Sequence, residues 1–190
     1  MTLSQIIRMA LRQLDEDPGD VSEYDDLFRA YANIGYHIAV REYLHPREVR
    51  TLHTDECGAA PIGQTDIVRV VDVRRKVEDG GPLYSVPFAR TGDGRAVKTR
   101  CGEETLYALC EVDYPAMSEE TEEPKLPENV HHALADYICY RHLSSGNLAK
   151  QSRAQFYLSS FYQAMRQMKP DGFGSVTHEV NLYAVTDIRA

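Results

Sequence analysis

The stretch from Pro124 to Met168, PKLPENVHHALADYICYRHLSSGNLAKQSRAQFYLSSFYQAMRQM, constrains the fold more than any other part of the chain. Pro127 fixes φ where a helix begins and lacks an N–H that would have had no partner there; Glu128 then faces the positive end of the helix dipole. Val130, Leu134, Tyr137, Ile138 and Arg141 follow at steps of three and four residues, the period of one helix face. Ser144-Ser145-Gly146-Asn147 reads as a turn in which Gly146 takes the left-handed conformation that ends a helix. Beyond it Ala154, Tyr157, Leu158, Phe161, Ala164, Met165 and Met168 repeat the period until Lys169-Pro170 stops it. Two apolar stripes joined by a short turn predict an antiparallel helical hairpin, a structural spine for the rest.

Two further helices precede it. Leu3, Ile6, Ile7, Ala10, Leu11 and Leu14 form one stripe, and Thr2 with Gln5 has the spacing of a capping box. After an acidic loop at residues 15–20, which lacks the ligand spacing of a calcium-binding loop, a second helix starts near Ser22. It carries Tyr24, Leu27, Phe28, Tyr31, Ile34 and Ile38 inward, Gly35 allows a close helix crossing, and His45-Pro46 closes the element. From Val49 to Tyr114 the period changes to two. Strands are expected at 49–53, 66–75, 84–88, 96–99 and 105–114, with Ile67, Val71 and Val73 on one face and Val68 and Val70 on the other. Pro87 demotes the third strand to an edge or a bulge. Residues 118–124, SEETEEP, read as an acidic linker. Past Phe173 the helical period is lost, yet Val180, Leu182, Tyr183, Val185 and Ile188 are too apolar for an idle tail, so an extended arm that adds to a partner is expected. The fold class is α+β: an antiparallel bundle of about four helices with an inserted small antiparallel β-sheet or sandwich and a C-terminal arm. The divisions fall at residues 1–48 with 115–173, at 49–114, and at 174–190.

Composition excludes several functions. A net charge of −8 argues against a protein whose task is to grip nucleic acid, which requires cations to displace counterions. It suits a wall that DNA slides past. No apolar run approaches the roughly 20 residues that span a bilayer, and the amphipathic start reads as a mature helix, not an export signal. Cys57, Cys101, Cys110 and Cys139 lie far apart without CxxC pairing, the pattern of reduced thiols, so no disulfide is expected.

Candidate chemistry is sparse. His131, His132, Asp136 and His142 are the densest set of possible metal ligands, and His132 with Asp136 shares a helix face. His131, His132 and Asp136 would have to serve an alternative reading as a metal-dependent hydrolase, but there is no HExxH and no evident third ligand. Neither GxSxG nor a phosphate-binding GxxxxGK[ST] loop is present. A helix–turn–helix reading, for a DNA-packaging or regulatory factor, meets two long helices and an acidic chain. The aromatic residues Phe156, Tyr157, Phe161 and Tyr162 fit a core or a subunit interface better than a base-stacking platform. No catalytic residue, metal or cofactor is assigned.

The two N-terminal helices, the β insertion, then LPENVHHALADYICYRHL, a short break and AQFYLSSFYQAM resemble the head-to-tail connector, or adaptor, proteins of tailed bacteriophages. The likeness is carried by the Leu-Pro-Glu opening, the Ala-Leu-Ala-Asp-Tyr core and the Tyr-Arg pair that follows. It implies a virion protein, made in the host cytoplasm, that forms a dodecameric ring under the portal and extends the DNA channel without specific DNA binding. It also implies a platform for the next tail or stopper protein. The segment matching the family's portal-docking element holds Val180, Asn181, Leu182, Tyr183, Val185 and Ile188.

Overall fold

The computed structural model describes residues 1–15, 21–62, 66–76, 83–91, 96–100 and 102–168. The protein is α+β, with four α-helices and two small antiparallel sheets among the described residues. The described residues fall into two compact units, one of Met1–Leu44 with the described chain from Tyr114, the other of His45–Asp113.

In the helical unit α1 (Leu3–Leu14) starts on the expected capping box, with the Thr2 side chain accepting from the Gln5 N–H and the Gln5 side chain accepting from the Thr2 N–H. Its stripe Leu3, Ile6, Ile7, Ala10, Leu11 and Leu14 is buried throughout, and it ends on Asp15 in a left-handed conformation at φ 62°. α2 (Val21–Ala39) buries Phe28, Ala32, Tyr36 and Ala39 and runs into a π-helical turn at Val40–Leu44. The acidic residues 118–124 do more than link. The Leu3 and Ser4 N–H groups donate to the carbonyls of Glu122 and Glu120 at 2.8 and 3.0 Å, satisfying donors that a helix start leaves without internal partners. Asn33 in α2 holds Met117 from both sides, donating to its carbonyl at 2.9 Å and accepting its N–H at 2.8 Å.

The spine differs from its expected form in two places. Pro127 precedes a short 3-10 turn, Glu128–Val130, before α3 (His132–Leu143) begins. Gly146 does not adopt the left-handed conformation: among the described glycines only Gly58 has positive φ. The turn instead starts α4 (Leu148–Arg166) through Asn147, whose side chain accepts the Lys150 N–H at 3.1 Å. α3 packs against α1, α2 and α4. It therefore buries Ala133, Leu134, Ala135, Asp136, Tyr137, Ile138, Cys139 and Leu143, the full circumference and not one stripe. Gly35 permits the close crossing: a Cβ there would lie 2.9 Å from the Tyr137 ring.

The described residues of the second unit form seven strands where about five were expected from the turn spacing. One sheet has the order β1 (Arg47–His53), β7 (Thr105–Val112), β3 (Ile67–Lys76), β4 (Leu83–Ser85). The other has the order β2 (Ala59–Pro61), β6 (Ala96–Thr99), β5 (Phe88–Arg90). Pro87 lies where the expected single strand 84–88 divides between the two sheets, consistent with its lack of a donor for a continuous ladder. The face assignment on β3 is corrected by its irregular register against β7 between Val70 and Asp72. A bulge advances the side-chain phase by one, so Val70 and Val73 are the buried pair while Val68 is 43% exposed.

Candidate functional site

The histidine and aspartate cluster is built into the helical core. His131 Nε2 lies 2.8 Å from the Leu126 carbonyl, to which it can only donate; Nδ1 is then the acceptor facing the Met1 amine, also at 2.8 Å. Both ring nitrogens are engaged and the residue is 2% exposed. Asp136 accepts from Gln13 Nε2 at 3.1 Å and from Ser160 Oγ at 2.7 Å, joining α3 to α1 and α4. Gln13 in turn accepts the Cys139 thiol at 3.1 Å. A buried carboxylate is tolerated when such donors replace water. His132 is half-buried, and His142 stacks edge-on to Phe28 at 5.4 Å. Among the described residues no group of three or more His, Cys, Asp or Glu is arranged to hold a metal ion.

The cysteines are placed as unreactive groups where they are buried. Burial, with the Asp136 carboxylate adding to it, pushes the Cys139 thiol up to about 12, and burial pushes Cys110 up to about 11. Both stay protonated near neutrality. Cys57 is exposed, the three described cysteines are free, and Cys101 lies outside the described residues.

Among the described residues lies a charge cluster that the sequence did not single out. Register places Glu111 on β7 directly between Arg47 on β1 and Arg69 on β3. Arg69 grips the carboxylate through two nitrogens, at 2.6 and 3.1 Å, with Arg47 at 3.6 Å and His45 at 3.9 Å. Burial alone would raise the Glu111 carboxyl, but the Arg69 hydrogen bond and charge, helped by His45 and Arg47, hold it below the ordinary carboxylate range. A carboxyl depressed on folding adds stability above its unfolded value, about 4.3, and that stability disappears as pH falls through the folded value. Glu111→Gln is expected to melt lower than the parent at pH 7, with the gap closing as pH falls below the unfolded value of about 4.3; a gap that stays constant as pH falls would refute it.

The aromatic residues of α4 separate by direction. Tyr157 and Phe161, expected with Phe156 and Tyr162 at a subunit interface, lie inside their own unit at 8% and 0% exposure, and Tyr162 is half-buried. They are sequestered because the helix's core-facing side coincides with them. Phe156 is 70% exposed and Leu148 80%. On α2, Leu27 and Ile34, assigned to the buried side by period, are 45% and 41% exposed, one turn-pair apart on a common face. The residues expected to dock a portal, 180–188, lie outside the described residues. The candidate site is therefore the exposed apolar surface of the helical unit. Its signal in the sequence is an apolar residue off the main stripe, which by itself does not separate an exposed anchor from a second buried face.

No protein-family model matches this chain, and no curated protein matches its sequence. No helix among the described residues is long and apolar enough to cross a membrane.

Proposed function

We propose that this chain is a structural head-to-tail adaptor of a tailed bacteriophage, a non-enzymatic virion protein that assembles as a ring under the portal. In this reading the four helices act as an antiparallel bundle, the β unit is an insertion, and residues 174–190 are an extended arm that engages the portal. The ring lengthens the DNA channel and offers its lower face to a tail or stopper protein.

The observation that carries the reading is the outward side of α4, where Phe156 and Leu148 stand 70% and 80% exposed on a helix otherwise well anchored in its core. Large apolar groups held in water on a rigid element suit a protein whose work is to be covered by another. The resemblance of residues 124–168 to connector proteins supports the same role. A net charge of −8 also suits a lumen through which DNA passes without sticking.

The test is electron microscopy of the chain mixed with its portal, with and without residues 176–190. A ring seated on the portal is expected for the full chain, and loss of docking with an unchanged far-ultraviolet circular dichroism spectrum for the truncated one. Docking that survives the truncation would remove the arm's role; no ring in either case would overturn the assignment.

A further inference from the structure

The β unit offers a different kind of surface, a strand edge. β1 pairs with β7 along its whole length, from Arg47 opposite Glu111 to His53 opposite Thr105, with no shift of register. The flanking bonds fix its phase: the Val112 N–H donates to the Pro46 carbonyl and the Thr54 N–H to that of Glu104, both at 3.0 Å. Glu48, Arg50 and Leu52 therefore turn their peptide groups toward β7, while Arg47, Val49, Thr51 and His53 turn theirs away from it. β1 is the outermost strand of its sheet, and no backbone hydrogen bond among the described residues reaches that far edge.

Free strand edges invite another strand, so they are ordinarily short or interrupted. The other outermost strands of the two sheets, β2, β4 and β5, have three residues each. β1 has seven, with neither proline nor glycine among them, and Arg47, Thr51 and His53 are exposed. Its charges suit a copy of itself in one register. Turned antiparallel about Val49, two β1 strands set Glu48 opposite Arg50 and Arg50 opposite Glu48, with Pro46 opposite Leu52. Arg50 already meets Glu48 of its own strand at 2.7 Å and Asp66 at 2.9 Å, so the second strand completes a square of alternating charge. In the same register Val49 meets Val49 and Arg47 meets Thr51, so that every outward N–H and C=O from Arg47 to Thr51 finds a partner. Centring on residue 48 or 50 instead puts Glu48 against Glu48 or Arg50 against Arg50.

We infer that β1 is a self-complementary edge on which a second copy of this chain docks, strand against strand, antiparallel about Val49. The occupant is a second copy because hydrogen-bond phase, charge order and apolar ends all match in the one register that a two-fold axis through Val49 imposes. The joint closes on two copies. It therefore goes beyond the head-to-tail ring and does not depend on it.

Cross-linking in the full chain, with Cys57 and Cys101 replaced by serine, reads the register. Val49→Cys is expected to oxidise to a dimer, since its counterpart Cα lies about 5.5 Å away in such a pair. Thr51→Cys is expected to give no cross-link, because its counterpart is displaced by roughly 14 Å along the strand. Thr51→Pro removes an outward N–H that the subunit's own sheet does not use. It is expected to weaken self-association about tenfold or more in sedimentation equilibrium, with an unchanged circular dichroism spectrum. Glu48→Arg and Arg50→Glu proteins are each expected to lose association and to regain it when mixed, because the mixture restores unlike charges across the joint. No dimer from Val49→Cys, a cross-link from Thr51→Cys, association that survives Thr51→Pro, or a mixture that stays apart would overturn the pairing. The portal takes no part in these measurements, so their failure leaves the adaptor reading as it stands.

Discussion

Phe161→Ala is expected to remove about 3–5 kcal/mol from the stability of the helical unit, whereas Phe156→Ala, five residues earlier on the same helix, is expected to change it by less than about 0.5 kcal/mol. Phe161 is fully buried, its ring 5.0 Å from that of Tyr137 and 5.3 Å from that of Tyr162. Truncation removes apolar area from the core and leaves a cavity that α3, packed on several sides, has little freedom to fill. Phe156 is exposed, so its removal from the isolated subunit takes little out of the core. At about 4–8 °C per kcal/mol for a domain of roughly 100 residues, the first variant melts far below the parent and the second beside it. Urea unfolding followed by helical circular dichroism separates the two, and equal losses would mean that the faces of α4 are exchanged.

Gly35→Val is the second large effect, an expected loss of about 1–3 kcal/mol or somewhat more. An ideal Cβ at this position comes within 2.9 Å of Tyr137 Cγ and Cδ1 and 3.2 Å of its Cβ. These atoms are the base of the side chain, which moves only if α3 moves with it. Replacing a helical glycine gains up to about 1 kcal/mol of propensity, so Gly35→Ala should lose less than valine does. Tyr137→Ala in the Gly35→Val background should recover part of the loss, with a favourable coupling of about 0.5–3 kcal/mol in a double-mutant cycle. Strictly additive effects would show that the two residues do not share the crossing.

Much of the element order was legible because its signals are local. The Thr2–Gln5 capping box, the α1 stripe, the change to a period of two after the second helix, and the break at His45-Pro46 each depend on a few neighbouring residues and on backbone sterics. Gly35 was legible as a close crossing for the same reason, although its partner was not. The exposed apolar surface was only half legible. The period of α4 grouped its aromatics, but the sequence carries no sign of which would be covered by the subunit's own core.

The sequence by itself determined the order of the helices, the change to a period of two between the second and third of them, and that acids outnumber cations. Tertiary structure alone decided three things. It made α3 a helix buried all round, because burial belongs to the neighbours on α1, α2 and α4 and not to the periodicity of the helix itself. It set the bulge that puts Val70 and Val73 on one side, and the register that seats Glu111 between Arg47 and Arg69, since strand pairing joins residues far apart in the chain. Finally, it placed Tyr157 and Phe161 inside while Phe156 and Leu148 stand outside, because the direction of an amphipathic helix is fixed by the surface it packs on.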